Sequence, residues 1–315
     1  MAICCLTLIA EQATQQDQPG LFNPDPTRKT IDHGPKRRER EVLQLVTVAS
    51  TVRFSRLHEF LDSLGRQHFP AAIQDLSAMI IAWDNPWLLD TIRSSDYYRA
   101  LAKGTFVTDL NSVSLFGPGA VIRIPDSIRS IVVAGMIREN IIVLNIPQFR
   151  ITILNGSDTL CSCPVRVGRN ERVLLETIGH EVDLRTPVGK GKIIRVRRHP
   201  ISKNLHTGEP YVQTRRDDGR ITRMPDIPSL EPILDGNRWG KMIHATTNQA
   251  TIGKAYSHGC VGVTEACMWT LYFLAPEGTA VEFRYDLQPG LLRGENVMLT
   301  DIYQESQPPS AAVRD

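Results

Sequence analysis

The feature that most constrains the fold is a series of short apolar segments separated by turn signals in the second half of the chain. The segment Ile141–Leu154 is rich in Ile, Val and Leu, and the pair Asn155-Gly156 that follows it is typical of a tight hairpin turn. Further apolar segments lie at residues 160–167, 192–196, 242–244 and 280–285. Short segments bounded by turn residues predict strands, so we expect a mainly β domain from about residue 139 onward.

Helical patterns precede and interrupt this β region. Leu57, Phe60, Leu61 and Leu64 have the spacing of one apolar helix face, and Gly65 is placed to end that helix. A later helix is predicted from Glu265 to about Leu274, capped by Thr264. The predicted fold class is therefore a mainly β domain with one helix, preceded by a small helical region.

Changes in composition divide the chain into four segments. Residues 1–40 are a polar, flexible lead-in that begins with the apolar run 1–10, residues 41–136 are mostly helical, residues 137–304 form the β domain, and residues 305–315 are a flexible tail. The run 1–10 is either the remnant of a signal peptide or a plain apolar end. The polar stretch 199–237 is long for a connection, which is typical of a lid or substrate loop.

Charge and hydropathy exclude several classes of protein. The 315 residues carry a formal net charge of only +2, so we expect no nucleic-acid partner. The basic stretch 28–40 is better interpreted as a solvated linker than as a nucleic-acid arm. No apolar run approaches the roughly 18 residues that a membrane-spanning helix needs, so we expect no membrane span.

The cysteines do not predict a metal site. They are Cys4, Cys5, Cys161, Cys163, Cys260 and Cys267, and their spacing fits no zinc pattern. Cys161 and Cys163 would face the same side of a strand, where a direct bridge is strained. An even number of cysteines in so long a chain does not establish a disulfide framework, and the redox compartment stays open.

The segment from His244 to Cys260 holds the residues that a cysteine nucleophile requires. Catalysis by a thiolate needs a base and donors for the oxyanion, and the glycine before Cys260 lets the backbone bend so that the amides of Gly259 and Cys260 point at one oxygen. Two histidines are available. His258 is too near in sequence to face the thiol, so His244 is the better partner, while a structural role for a lone cysteine remains the alternative.

The same segment resembles the signature of the L,D-transpeptidase catalytic domain, the YkuD family. The usual form is Ile-His-Gly-Thr, a loop with Ile-Gly, then Ser-His-Gly-Cys-Ile/Val-Arg. The matching residues here are Ile243–Thr246, Ile252-Gly253 and Ser257–Val261, with supporting similarity at Ile141–Leu154, Thr186–Gly191, Gly278–Val281 and Asp301–Tyr303. The resemblance covers about residues 139–303 and leaves out the helical region.

The resemblance implies an enzyme of bacterial peptidoglycan biosynthesis, with a role in cell-wall organisation and cell shape. Members attack the bond between the third residue of a stem peptide and its terminal D-alanine, and the acyl-enzyme then passes to an amine in a 3–3 cross-link or a protein attachment. No metal and no organic cofactor are needed. Because peptidoglycan lies outside the inner membrane, the resemblance also implies export to the cell envelope or periplasm, with an incomplete signal peptide.

Roles follow for the matching positions. Cys260 is expected as the nucleophile and His244 as the base, which the backbone carbonyl of Ala245 orients. The expected residues of the nucleophile loop and the substrate side are Ser257, His258, Gly259, Thr246, Tyr256 and Gly262.

Two positions depart from the family pattern, Ala245 in place of glycine and Gly262 in place of Arg or Asn. Gly262 either lies in an extended strand that has lost a substrate contact, or adopts a positive φ. Substrate choice depends on this. Two alternatives also stay open: an L,D-carboxypeptidase or hydrolase on the same scaffold, from which only the acceptor differs, and a wall-binding protein whose active site has decayed.

Overall fold

The computed structural model describes residues 44–105, 109–175, 179–201, 207–288, 291–292, 295–296 and 298–304. The predicted lead-in 1–40, with its apolar run and basic stretch, and the predicted tail 305–315 lie outside the described residues, as do Cys4 and Cys5. Across the described part of the chain, no helix is both long enough and apolar enough to cross a bilayer.

The N-terminal region of the described chain is mostly helical, as predicted, with two small strand pairs. Its elements are β1 (Gln44–Thr47), β2 (Val52–Arg53), α1 (Leu57–His68), α2 (Ser77–Asp84), α3 (Pro86–Arg93), α4 (Asp96–Ala102), β3 (Ser114–Phe116), β4 (Val121–Ile124) and α5 (Ser127–Arg138). Strand β1 pairs with β4 and β2 with β3, both antiparallel. The predicted apolar face of α1 is buried through Leu57, Leu61 and Leu64.

The prediction that Gly65 ends α1 is wrong. The helix continues to His68, and Gly65 is buried inside it against α2. A Cβ atom at this position would lie 1.7 Å from Ser77 Oγ, so the glycine allows the two helices to approach closely. A glycine inside a helix lowers the stability of that helix relative to alanine. At Gly65 the close packing of α1 against α2 requires the glycine in spite of this loss.

The second half of the described chain is a mainly β domain, as predicted. Its elements are β5 (Ile141–Asn145), β6 (Arg150–Asn155), β7 (Asp158–Gly168), β8 (Arg172–Leu175), β9 (His180–Asp183), β10 (Gly189–Arg197), β11 (Gln213–Arg215), β12 (Ile221–Arg223), β13 (Ser229–Leu234), β14 (Ile243–Ala245), β15 (Ala255–Ser257), β16 (Val261–Val263), α6 (Glu265–Leu274), β17 (Ala280–Arg284), β18 (Leu291–Leu292) and β19 (Glu295–Asn296). The predicted hairpin turn at Asn155-Gly156 joins β6 to β7, and Gly156 has φ 56°.

A single mixed sheet closes on itself to form a barrel. Its strand order is β15-β7-β16-β14-β13-β10-β17-β5-β6, and β6 pairs again with β7. Three strand pairs are parallel, β14–β16, β17–β5 and β15–β7, and the other pairs of this sheet are antiparallel. Alternate residues of the strands fill the interior, including Ile151, Val165, Ile193, Ile243 and Val263, none of which is exposed.

The interpretation of 199–237 as one long connection is wrong in part, because β13 (Ser229–Leu234) is a barrel strand between β10 and β14. The strand is not recognisable from the sequence because its central residues, Glu231 and Pro232, are uncommon inside a strand. Pro232 lies opposite Ile193, beside a register shift in β10, where a proline is tolerated. Glu231 has only 3% of its side chain exposed because the guanidinium groups of Arg197 and Arg238 bind its carboxylate.

Helix α6 lies between the barrel and the N-terminal helices and is buried all around. It begins where predicted, with Thr264 Oγ1 accepting from the amide of Cys267 at 3.2 Å. The indole of Trp269 donates to Tyr98 in α4, and Tyr272 bonds His58 in α1. A disulfide, Cys163–Cys267, joins α6 to β7, a pairing that the cysteine count did not establish.

Candidate active site

Adjacent parallel strands bring His244 and Cys260 together. Strand β14 carries His244, and β16 begins immediately after Cys260. The two strands pair so that His244 lies opposite Gly262, and the amide of Val261 donates to the carbonyl of Met242 at 2.8 Å. Residues far apart in sequence thus meet across one strand pair, the arrangement expected for a distant base.

The orientation of the His244 ring is fixed by its own strand. Nδ1 lies 2.7 Å from the carbonyl oxygen of Ala245. A carbonyl only accepts, so Nδ1 carries the proton and Nε2 of the neutral ring is left as an acceptor. Nε2 is therefore the ring atom available to the thiol of Cys260, whose pKa His244 lowers.

Ser257 holds the loop that carries Cys260. Its buried hydroxyl donates to the carbonyl of Cys260 at 2.6 Å and accepts from the amide of Gly259 at 3.1 Å. Gly259 has φ 101°, a conformation that favours glycine. The loop is therefore a compact turn whose hydrogen bonds close on Ser257.

Thr186 also supports the loop that carries Cys260. Thr186 Oγ1 donates to the carbonyl of Gly259 at 3.1 Å and accepts from the amide of Gly168 at 2.8 Å. Its own amide donates to the hydroxyl of Tyr303, which in turn donates to the carbonyl of Gly168. The sequence identified the Thr186–Gly191 motif without a role, and these contacts show that Thr186 supports the loop that carries Cys260.

Lys241 is a cation beside the thiol that the sequence reasoning missed. Its Nζ donates to the carbonyl of His258 at 2.6 Å, and a Cβ atom on Gly259 would lie 2.7 Å from the same nitrogen. Burial lowers the pKa of Lys241, opposed by the charges of Cys260 and Asp183. No pattern in the sequence marks this lysine, because only the folded loop brings it near Cys260.

The environment of Cys260 favours the thiolate. Burial by itself raises the pKa of the thiol, but His244 opposes it, because the imidazolium formed when Nε2 takes the thiol proton stabilises the thiolate. The amide of Met242, which donates to Sγ at 3.4 Å, and the charge of Lys241 act in the same direction. The pKa of Cys260 is held below the ordinary thiol value as a result, which is the property of a reactive cysteine.

Met242, His244 and Cys260 line a cleft of about 1030 Å³. The sequence-predicted residues on its wall are His244, Ala245, Thr246, Tyr256, Ser257, His258 and Cys260. Gly259 and Gly262 are buried and shape the backbone behind it. Tyr256 is 54% exposed and available to a ligand, whereas Thr246 is buried and its hydroxyl accepts from the amide of Asn248 in the turn after β14.

Gly262 lies in an extended strand, so the positive-φ alternative is wrong. It is paired on its other side with Arg166 of β7, and a Cβ atom on Gly262 would lie 2.5 Å from Arg166 Nε. Arg166 also lines the cleft and was missed in the sequence. In the sequence, the one indication of Arg166 is a charged residue between two valines, Val165 and Val167, which the structure shows to be buried.

The hairpin β11–β12 forms a wall of the cleft through residues such as Gln213 and Thr214. Its base is fixed by Arg216, which is 3% exposed and binds Glu265 of α6 and the hydroxyl of Tyr97 of α4. Thr222 of the same hairpin accepts from Arg216 Nε at 3.0 Å. These contacts fix this wall to α6, the helix that follows Cys260 and β16.

Comparison with known proteins identifies the barrel. Residues 139–283 match the family model of the L,D-transpeptidase catalytic domain, YkuD. This part of the chain is a YkuD domain. No curated protein matches the sequence.

Solved structures with similarity to this chain include three L,D-transpeptidases. L,D-transpeptidase 3 of Mycobacterium tuberculosis, in complex with a faropenem-derived adduct, is 17% identical over 46% of this chain and 60% of its own, with a TM-score of 0.33. An L,D-transpeptidase of Mycobacterium smegmatis is 14% identical over 46% and 58%, with a TM-score of 0.32. Residues 123–326 of the enzyme from Xylanimonas cellulosilytica are 12% identical over 76% and 98%, with a TM-score of 0.34.

Proposed function

We propose that this protein is a cysteine-dependent L,D-transpeptidase that acts on peptidoglycan stem peptides through an acyl-enzyme. The observation that carries the proposal is the pair His244 and Cys260, in which the carbonyl of Ala245 fixes the proton on Nδ1 and leaves Nε2 to the thiol. A thiol with a lowered pKa, an oriented base and an open cleft are the parts that acyl transfer requires.

In the proposed reaction, His244 Nε2 takes the proton of Cys260 and the thiolate attacks the carbonyl carbon that precedes the terminal D-alanine. The protonated His244 gives this proton to the departing amine, D-alanine leaves, and a thioester remains on Cys260. An acceptor amine then attacks the thioester and forms a 3–3 cross-link or a protein attachment. The same thioester attacked by water gives a carboxypeptidase product.

We assign the backbone amide of Cys260 as the hydrogen-bond donor to the oxyanion. The amide of Gly259, the other expected donor, already donates to Ser257 Oγ. In this assignment Gly259 and Ser257 act by holding the loop, so that the Cys260 amide points at the position where negative charge develops.

The test is turnover of purified muropeptides followed by mass spectrometry of the products. We expect Cys260→Ser to abolish acyl transfer and His244→Ala to lower turnover by about 100-fold or more, because proton transfer is lost. His258→Ala is the matched control, since the base in this mechanism is not His258, and we expect a smaller loss. If His258→Ala alone abolishes turnover in a folded protein, the assignment of the base is wrong.

The products distinguish the alternatives. A dimer with a 3–3 bond supports the transpeptidase, and a tripeptide without a dimer supports an L,D-carboxypeptidase on the same scaffold. An intact substrate with no thioester on Cys260 supports a wall-binding protein without activity. No metal or organic cofactor takes part in the proposed steps.

We also propose that the protein is exported to the cell envelope or periplasm and that residues 137–304 are its catalytic unit. The disulfide Cys163–Cys267 supports export, because such bonds persist in oxidising compartments. The measurement is the redox state of Cys163 after alkylation of intact cells under native expression. Fully reduced Cys163 in the native host contradicts export.

A further inference from the structure

Arg166 lies in the same row of the barrel surface as the proposed base. Strands β7, β16 and β14 are neighbours, and Arg166 pairs with Gly262, which pairs with His244. Residues directly opposite each other point to the same face of a sheet. The flanking Val165 and Val263 are buried in the barrel, so the row faces outward into the cleft.

The glycine at 262 makes room for this arginine. A Cβ atom there would lie 2.5 Å from Nε, 2.7 Å from Cγ and 3.0 Å from Cδ of Arg166. The arginine side chain therefore crosses the strand that leads out of the nucleophile loop. Arg166 and Cys260 line the same cleft, and the charge of Cys260 acts on the guanidinium.

This guanidinium has few partners inside the protein. Over the residues that the structure describes, Arg166 forms no ion pair, and its one hydrogen bond is from Nη1 to Thr251 Oγ1 at 3.2 Å. Nε is buried and has no hydrogen-bond partner among the described residues. By contrast, Arg169 on the same cleft forms an ion pair with Glu171 at 2.6 Å. A guanidinium offers five N–H donors in a planar fork that matches a carboxylate, so Arg166 keeps donors for an anionic ligand.

We propose that Arg166 binds the terminal carboxylate of the acyl-donor peptide. The inference rests on the proposed function for the identity of the donor. In a peptide cleaved before its last residue, only one nitrogen and one α-carbon separate the scissile carbonyl from the terminal carboxylate. A cation one strand away from the nucleophile loop is within reach of that carboxylate while Cys260 attacks.

The first test uses two small reagents and needs no peptide turnover. Iodoacetate and iodoacetamide both alkylate the Cys260 thiolate, but only iodoacetate carries a carboxylate. A change in the thiol pKa alters both rates equally and cancels in their ratio, so the ratio reports the carboxylate contact. We expect Arg166→Met to lower the iodoacetate-to-iodoacetamide rate ratio at Cys260 by about fivefold.

Arg169→Met is the matched control, because it removes an equal charge from the same cleft but one that is already paired with Glu171. We expect it to keep the ratio within a factor of about two. Arg166→Lys is the second variant, which retains the charge and loses the fork, and it should lower the ratio less than Arg166→Met. Equal ratios in wild type, Arg166→Met and Arg166→Lys overturn the inference, and thermal melting of each variant establishes that it is folded.

The second test compares a stem tetrapeptide that has a free terminal carboxylate with its terminal amide. We expect Arg166→Met to raise KM for the free acid by about tenfold, with a smaller change for the amide. Turnover with unchanged KM in Arg166→Met overturns the inference and keeps the proposed function. A lowered alkylation ratio without any turnover by wild type keeps the carboxylate site and overturns the proposed function.

Discussion

At the residue scale, Cys161 and Cys260 are the free thiols of the described chain, and their environments are opposite. Burial raises the pKa of Cys161 to about 11, against a smaller opposing effect of the Arg93 charge. The contacts of His244, Met242 and Lys241 outweigh burial at Cys260 and lower its pKa. At neutral pH, the thiolate fraction is therefore far larger at Cys260.

We predict that iodoacetamide at pH 7 modifies Cys260 well before Cys161, measured by peptide mapping. The preference should persist as the pH falls to 6, because the lowered pKa keeps part of Cys260 as thiolate. His244→Ala removes the largest favourable contact and should slow labelling of Cys260 but not of Cys161. Equal rates at the two cysteines in wild type contradict a lowered pKa at Cys260.

Gly262 and Arg166 form a second residue-scale pair. We predict that Gly262→Ala destabilises the protein by about 1–3 kcal/mol, because the new Cβ overlaps the middle of the Arg166 side chain. In the Arg166→Ala background the overlap is gone, and the same change should cost much less. Thermal melting of the double-mutant cycle measures this coupling. Additive costs show that the two residues do not compete for the same space.

At the element scale, a buried carboxylate joins β10, β13 and the segment after β13. The hydrogen bond from Arg238 lowers the pKa of Glu231 to about 2, despite burial and with help from Arg197. A carboxyl group with a depressed pKa stabilises the fold above its unfolded value of 4.5, and this contribution is lost as the pH falls from 4.5 towards 2.

We predict that Glu231→Gln lowers the free energy of unfolding at pH 7 by on the order of 2 kcal/mol, and by much less near pH 2. Denaturant unfolding at both pH values measures the difference. Glu282→Gln is the matched control on β17, because Glu282 forms an exposed pair with Lys190 at 3.6 Å and should change stability little at either pH. An equal loss for Glu231→Gln at both pH values contradicts the charge argument.

Several elements were predictable from local sequence. The hairpin at Asn155-Gly156 and the helix capped by Thr264 depend on backbone preferences of a few neighbouring residues, and both form as expected. The strand β13 was missed because its central Glu231 is buried only once arginines from elsewhere bind it. A local pattern does not contain those partners.

At the scale of the whole molecule, α6 is the shared core of the two parts. Its side chains contact the barrel on one side and α1, α3 and α4 on the other, for example through Trp269 and Tyr98. The hairpin wall of the cleft is fixed to the same helix through Arg216 and Glu265. The helical region lies outside the residues that the family model matches, and it helps to hold one wall of the cleft in place through α6.

The disulfide Cys163–Cys267 closes a separation of 104 residues across this core. We predict that the double variant Cys163→Ala/Cys267→Ala loses about 2–5 kcal/mol of stability, since the unfolded chain regains the freedom that the bond removes. Cys161→Ala is the control, because it keeps the disulfide, although Cys161 Sγ lies 3.5 Å from Cys163 Sγ. An unchanged melting temperature in the double variant contradicts a stabilising role for the bond.

The sequence by itself predicted the mainly β class, the helix after Cys260 and the candidate residues His244 and Cys260, because each depends on short-range preferences or on one contiguous motif. Only the tertiary structure decided that Gly65 lies inside a helix, that Cys163 pairs with Cys267, that Arg166 lines the cleft and that Lys241 acts on the thiol. These features depend on distances between segments that are remote in sequence. Packing and charge pairing set such distances after the chain has folded, and no local pattern encodes them.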